Sequence, residues 1–259
     1  MKTKEIFLET ANITKEQLEL LDNAFSYILD WYIKNYVQIN IINKKESFEL
    51  TTISPNMFSK SDIIQTYEIE KILLREELIS SWEEAYKWYQ YNPYTFIGVR
   101  DKKSNKVVGF CTIIPVSDEW FNLFKSGLID DTQIDVSYIR KYDIPDFYNI
   151  YISSVCVHPD YQGTFGVFTI LYNAIIEMFL KFAQNNEIYI YKLLAEASTF
   201  DGERLCKLIG MKKTGETKHK TDIYESYLIP PSLRLKSRNG KKLLNYYSKK
   251  YNELKDILY

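Results

Sequence analysis

The chain has 259 residues, 46% of them apolar and 26% charged, with a formal net charge of -1. That balance excludes extensive disorder and the strongly basic character of a nucleic-acid-coating protein, and it permits a full hydrophobic core. The three cysteines, Cys111, Cys156 and Cys206, are too far apart for a zinc or redox motif and fit a reducing cytoplasm. Met1 to Thr10 carries no signal-like apolar run, and no stretch reads as the ~20 apolar residues of a membrane span, so a cytoplasmic protein without a membrane partner is expected.

Thr14 and Gln17 have capping-box spacing ahead of Leu18, Leu21, Phe25, Ile28, Leu29, Tyr32 and Tyr36, which predicts a long amphipathic helix in an N-terminal extension over 1–47. Phe48 to Ile53 reads as a strand ended by Ser54-Pro55, and helical patterns follow near Ser61 to Leu78 and Ser81 to Tyr89. Tyr94 to Arg100 and Val107 to Pro115, joined by a polar turn, predict an antiparallel hairpin. Residues 117–147 form a mixed polar and aromatic insertion, and Asn149 to Val157 is again strand-like.

A helix is expected from Gly166, with Ile170, Leu171, Ala174, Ile175, Met178, Phe179 and Phe182 on one face, followed by a strand from Ile188 to Ala195. That succession is a βαβ unit. Asp201 to Ile209 reads as a shorter helix stopped by Gly210, and Met211 to Thr217 with Asp222 to Leu228 as a closing hairpin before Pro230-Pro231. The tail over 229–259 is amphipathic through Leu243, Leu244, Tyr247, Tyr251, Leu254 and Leu258. Seven basic residues and no acidic one fall between Arg234 and Lys250, which reads first as a solvated helix face and second as a contact for an anionic partner.

The chemistry-bearing stretch runs from Tyr151 to Val167 and places a glycine-bearing loop between a strand and the first turn of a helix. Free amides at a helix start, reinforced by the helix dipole, make a site for an anion such as pyrophosphate. On Val157-His158-Pro159 and Gln162 the chain resembles the GNAT family of N-acetyltransferases, whose fourth strand ends in V-x-P before a Q/R-x-x-G-x-G/A loop. The order of elements over 48–228 follows the same family. The resemblance implies a mixed α/β fold, with a mostly antiparallel sheet, splayed parallel fourth and fifth strands, and helices on both faces.

It also implies acetyl transfer from acetyl-CoA to a primary amine of a small molecule or protein, by direct attack and without a metal. The backbone of Val155, Cys156 and Val157 then takes the pantetheine arm, and Gln162, Gly163, Thr164, Phe165, Gly166 and Val167 take the pyrophosphate. Four positions depart from the family pattern. Phe165 and Val167 stand where the loop has its small residues, and Cys206 in Leu205-Cys206-Lys207-Leu208-Ile209-Gly210-Met211 takes the place of the tyrosine that protonates the leaving thiolate. Ser153 stands where many members have the glutamate base, leaving Glu196, Asp143, Asp146 or a water chain as substitutes.

His158 reads as a turn residue and Cys156 as a core thiol; Trp82, Tyr86, Trp88 and Tyr89 read as core with an acceptor pocket as the second reading. The departures keep a second function open, a catalytically degenerate module that binds CoA or a protein. A nucleic-acid partner rests only on the basic tail and ranks last, and a homodimer through the N-terminal helix is open.

Overall fold

Strand β1 (Leu50–Ile53) is followed by helix α1 (Lys60–Leu73), which opens at Ser59: its hydroxyl caps Asp62, and the Asp62 carboxylate reaches back to the Ser59 amide at 2.8 Å. A computed structural model describes residues 48–163 and 165–258; the helical extension expected over 1–47 lies outside the described residues. Helix α2 (Trp82–Tyr91) is capped by Ser81 and leads into the hairpin of β2 (Phe96–Asp101) and β3 (Lys106–Val116). Asp62 also pairs with Arg100 of β2 at 2.7 Å, which ties α1 to the sheet at a mostly buried position.

The segment 117–147, expected as an irregular insertion, contains helix α3 (Asp118–Lys125) and short 3-10 turns at Asp131–Gln133 and Val136–Tyr138. Ser117 caps α3, and Trp120, Phe121 and Phe124 bury its single apolar face; eight residues are too few for a repeating pattern to stand out in sequence. β4 (Phe147–Val157), α4 (Phe165–Asn186) and β5 (Tyr189–Ala197) form the βαβ unit. Helix α5 (Phe200–Leu208), β6 (Lys212–Glu216), β7 (Asp222–Tyr227) and helix α6 (Arg238–Leu258) complete the described chain.

The strands make one seven-stranded sheet in the order β1-β2-β3-β4-β5-β7-β6. Only the β4–β5 pair is parallel, so the expected mixed sheet with a parallel fourth and fifth strand is what the chain forms. One face carries α1, α2 and α3 over two apolar clusters, one around Phe58, Ile63 and Phe110, the other around Trp120, Tyr151 and Leu194. The opposite face carries α4 and α6 over the largest cluster.

Helix α4 lies between the sheet and α6, which explains its composition. Leu171, Met178, Phe179 and Phe182 are buried as expected, and so are Ile176, Leu180 and Ala183, because α6 packs Leu243 and Tyr247 into the same cluster. The Tyr247 hydroxyl accepts the Ile190 amide at 2.9 Å, and the Tyr246 hydroxyl donates to the Ala183 carbonyl at 3.3 Å. Gly166–Asn186 is thus long and apolar enough to cross a membrane, with a hydropathy of 1.4, which corrects the expectation that no segment approaches a span. Burial on two sides is the reason for that apolar character.

Candidate active site

β4 and β5 part company half-way along β4. Pairing runs from Phe147 with Tyr189 to Ile152 with Ala195 and stops there, while β3 stays paired with β4 as far as Val157. A register shift between Thr112 and Ile113 leaves Ser153 as the extra residue on β4, a bulge that bends the strand away from β5. From Ser153 to Val157 the edge facing β5 has no strand partner among the described residues, and Val155 is 38% exposed there. Free N–H and C=O groups on such an edge take an extended ligand as a further strand would.

The bulge also sorts the side chains. Tyr151, Ser154 and Cys156 face α1 and α3, whereas Ile150, Ile152 and Val157 face α4. On β5, Ala195 and Ala197 pack on the α4 side and Leu194 on the other, so Glu196 points to the face that carries Tyr151.

Three carboxylates meet on that face beside the parted strands. Glu70 of α1 accepts the Ser154 hydroxyl at 2.5 Å, and burial outweighs that bond and pushes its carboxyl up to about 7. Asp131, nine-tenths buried, accepts the Tyr151 hydroxyl at 3.1 Å. Burial, then the negative charge of Glu196, hold Asp131 at about 7, with Asp130 and Glu70 adding to the effect. Glu196 accepts the Thr221 hydroxyl on Oε1, its Oε2 is buried without a hydrogen-bond partner, and burial raises its carboxyl as well.

The neighbouring Asp130 differs, because Lys218 forms an ion pair with it and His219 lies 3.7 Å away, and its carboxyl is held low. Lys218 and His219 come from the β6–β7 turn, whose His219 carbonyl accepts Arg75 from just beyond α1 at 3.3 Å. A small cavity opens between α1, α2 and β4, lined by Tyr67, Glu70, Trp88, Phe96, Asp131 and Ser153 among others.

The sequence candidates are distributed unevenly around this centre. Glu196 joins the carboxylate cluster. Asp146 is held by Arg140 at 2.6 Å and by the Phe147 amide, and Asp143 is exposed beside it; both lie at the start of β4, the far end from Ser153. Glu70 and Asp131 were not singled out by sequence. Glu70 falls seven residues after Ile63 and four after Thr66, on the buried stripe of α1, which is a legible signal for a carboxylate on an inward face.

Cys206 is 7% exposed in the large cluster, and burial pushes its thiol up to about 11. Cys156 is a core thiol of the α1 face, and burial raises it further. His158 accepts the Asp160 amide in its turn at 3.3 Å, and Gln162 donates to the Val157 carbonyl at 3.0 Å. Gly163 turns with a φ of 74°, while Thr164 and the Phe165 side chain lie outside the described residues. Val167 is fully buried, pressed on Gly109 of β3, and Gly166 admits Leu50 of β1; a methyl at either glycine would meet its neighbour at 2.5 Å and 2.9 Å respectively. Trp88 lines the cavity and donates to the Ile134 carbonyl at 3.0 Å, whereas Trp82 stacks under Lys60 at 4.7 Å.

Residues 63–197, just over half of the chain, match the acetyltransferase (GNAT) family. The chain belongs to that family. Its general chemistry is acetyl transfer. No curated protein matches the sequence. Among solved structures, the loading GNATL domain of CurA from Lyngbya majuscula is similar at 13% identity, covering 70% of this chain and 98% of that one, with a TM-score of 0.47. Ard1 from Thermoplasma volcanium is similar at 14% identity, covering 68% and 94%, with a TM-score of 0.43. Arabidopsis thaliana Naa50, solved with the bisubstrate analogue CoA-Ac-MVNAL, is similar at 12% identity, covering 68% and 97%, with a TM-score of 0.42.

Proposed function

We propose that the protein transfers an acetyl group from acetyl-CoA to a primary amine, with Glu70 as the general base. The observation that carries this reading is the Glu70–Ser154 pair. It brings a carboxyl held at about 7 to the β4 bulge, next to Ser153, the position that the family resemblance gives to a glutamate base. The base role has moved from the strand to the helix packed over it. A base near 7 combines a usable ionised fraction at neutral pH with enough proton affinity to accept from an ammonium.

The reaction follows from this placement. The acceptor ammonium gives a proton to Glu70, and the neutral nitrogen attacks the thioester carbonyl. Backbone N–H groups on the free edge at Val155 to Val157 stabilise the charge that grows on the carbonyl oxygen; one such donor lowers the barrier by about 3 kcal/mol. Collapse breaks the C–S bond and releases the amide, and the thiolate takes a proton to leave as CoA. Cys206 stands where the resemblance puts the proton donor; at about 11 its thiol stays protonated at neutral pH and is a weak acid for this step. In this reading the amides at the start of α4 take the pyrophosphate.

Calorimetric titration of the protein with acetyl-CoA, followed by turnover with a panel of amines, tests the reading. Micromolar binding and measurable acetylation support it. The Phe165→Gly variant addresses the loop: binding gained only in that variant would replace transfer with a degenerate, non-catalytic module.

A further inference from the structure

The segment that joins β7 to α6 carries cations that no described carboxylate neutralises. Between Leu233 and Ser237 burial alternates residue by residue: Leu233 and Leu235 enter the core, whereas Arg234 and Lys236 are exposed on the outer side. Extended backbone sends successive side chains to opposite faces, so the apolar contacts fix which way the cations point. The segment is tied down at both ends. The Arg234 amide donates to the Ile209 carbonyl just after α5 at 2.7 Å, and the Ser237 hydroxyl donates to the Tyr172 hydroxyl of α4 at 3.3 Å. Arg238, Lys241 and Lys242 add three more exposed cations on the opening turns of α6.

None of these five cations forms an ion pair with a described residue. Lysines elsewhere do, as Lys87 does with Glu84, Lys125 with Glu225 and Lys213 with Asp222. Glu177, the acid that reaches this end of α6, is engaged by Asn239 at 3.4 Å. Further along α6, Lys250 is paired with Glu253 at 3.7 Å, so the unbalanced charge is concentrated where α6 meets the opening turns of α4. Like charges gathered over residues 234–242 repel one another, and a bound anion relieves that repulsion. Tyr172 joins this patch to an exposed ring. Phe168, one helical turn earlier on α4, lies 29° from parallel with Tyr172 at a centroid distance of 6.4 Å and is 40% exposed. An aromatic face open to solvent beside unpaired cations suits an anion that carries a flat π system, as a nucleotide does.

We infer that Lys236 and Arg238 hold the ribose 3′-phosphate of the CoA donor, with its adenine laid on Phe168. This inference deepens the acetyl-transfer reading and rests on it for the identity of the nucleotide. CoA fits because, besides the pyrophosphate, it carries a second phosphate ester on the ribose that bears the adenine. Lys236 and Arg238 stand on either side of Ser237, whose bond to Tyr172 sets them beside the ring pair. A guanidinium and an ammonium give a phosphate charge-assisted N–H···O bonds, the stronger class of hydrogen bond. Both residues lie beyond 63–197, so this subsite is supplied by chain outside the matched family segment.

The test is calorimetric titration of the full-length protein with acetyl-CoA and with acetyl-3′-dephospho-CoA at low ionic strength, where exposed charges are least screened. Acetyl-CoA is expected to bind at least about tenfold more tightly. The double variant Lys236→Ala with Arg238→Ala is expected to bring the ratio close to one and to leave the affinity for the dephospho donor unchanged; both side chains are exposed, so the fold is retained. Phe168→Ala is expected to weaken both donors by at least about fivefold and to keep the ratio, since stacking on adenine does not involve the 3′-phosphate. Equal affinities in the natural protein, a ratio untouched in the double variant, an equal loss of both donors there, or a Phe168→Ala variant without effect would each overturn the inference. Turnover with an amine panel is measured separately, so that the two readings fail apart. Turnover with equal affinity for the two donors leaves transfer standing and removes the 3′-phosphate site, whereas a 3′-phosphate preference without turnover does the reverse. Binding of neither donor overturns both.

Discussion

The hydroxyl of Ser154 donates to Glu70 across 2.5 Å, joining the bulged stretch of β4 to the inward face of α1. This bond stabilises the ionised carboxylate and works against the burial that raises it. Ser154→Ala removes the opposing effect, so the Glu70 carboxyl moves further up. The rising limb of the pH–rate profile should shift upward by about one pH unit, with kcat at high pH nearly preserved. An unshifted limb in the variant would separate Ser154 from the titrating group.

Glu70 also links stability to pH. Its folded-state value of about 7 lies above the ordinary 4.5, so the folded protein holds a proton that the unfolded chain has released between those values. Stability from this group is therefore highest below pH 4.5 and falls as pH rises toward 7, the reverse of a salt-bridged carboxylate. Glu70→Gln should leave stability at about pH 4 unchanged and raise it by about 2 kcal/mol at about pH 8, as read by denaturant unfolding at both. An equal effect at both pH values would show that the carboxyl is not raised.

Gly109 and Val167 form a size-matched pair between β3 and α4. A methyl added at Gly109 would meet Val167 Cγ1 at 2.5 Å and the Cys156 carbonyl at 3.2 Å. Gly109→Ala is expected to destabilise the fold by about 2 kcal/mol, and Val167→Ala in the same chain to recover about half of that, since the first contact is a side chain and the second is backbone. Thermal unfolding of the two variants measures the coupling, and strict additivity would contradict it.

Much of the fold was legible because it rests on local pattern. The hairpin at 94–115 and the βαβ unit over 149–195 showed as strand runs and a 3.6-residue stripe, and both are present as β2–β3 and as β4, α4 and β5. Helix α3 was not, since a capping serine and one apolar face over eight residues do not repeat. Val167 stands where the family loop has a small residue, and its side chain turns inward on Gly109, a partner 58 positions away that spacing alone does not reveal. The site was half legible. Glu196 stands at a legible strand end, and Glu70 has the spacing of a buried stripe, but Asp131 is joined to Tyr151 and Glu196 only by the folding of the insertion over the sheet.

Cys206 sits among Ala197, Met211 and Tyr224 in the main core, with its thiol at about 11. Cys206→Ala is expected to cost about 1 kcal/mol of stability through the small void it leaves, and to lower kcat less than about tenfold, because an acid this weak adds little at neutral pH. A loss of about a hundredfold with stability intact would instead make the thiol an efficient proton donor to the departing CoA.

Proton transfer from the acceptor to Glu70 is read out by the pH dependence of kcat/KM for acetyl transfer in the natural protein and in Glu70→Gln. With Glu70 as the base, the rate is expected to rise with pH to a plateau above about 7 in the natural protein, and the variant to lose about a hundredfold or more on that plateau, with acetyl-CoA binding unchanged. A variant that keeps both the rate and the limb near 7 would contradict that role.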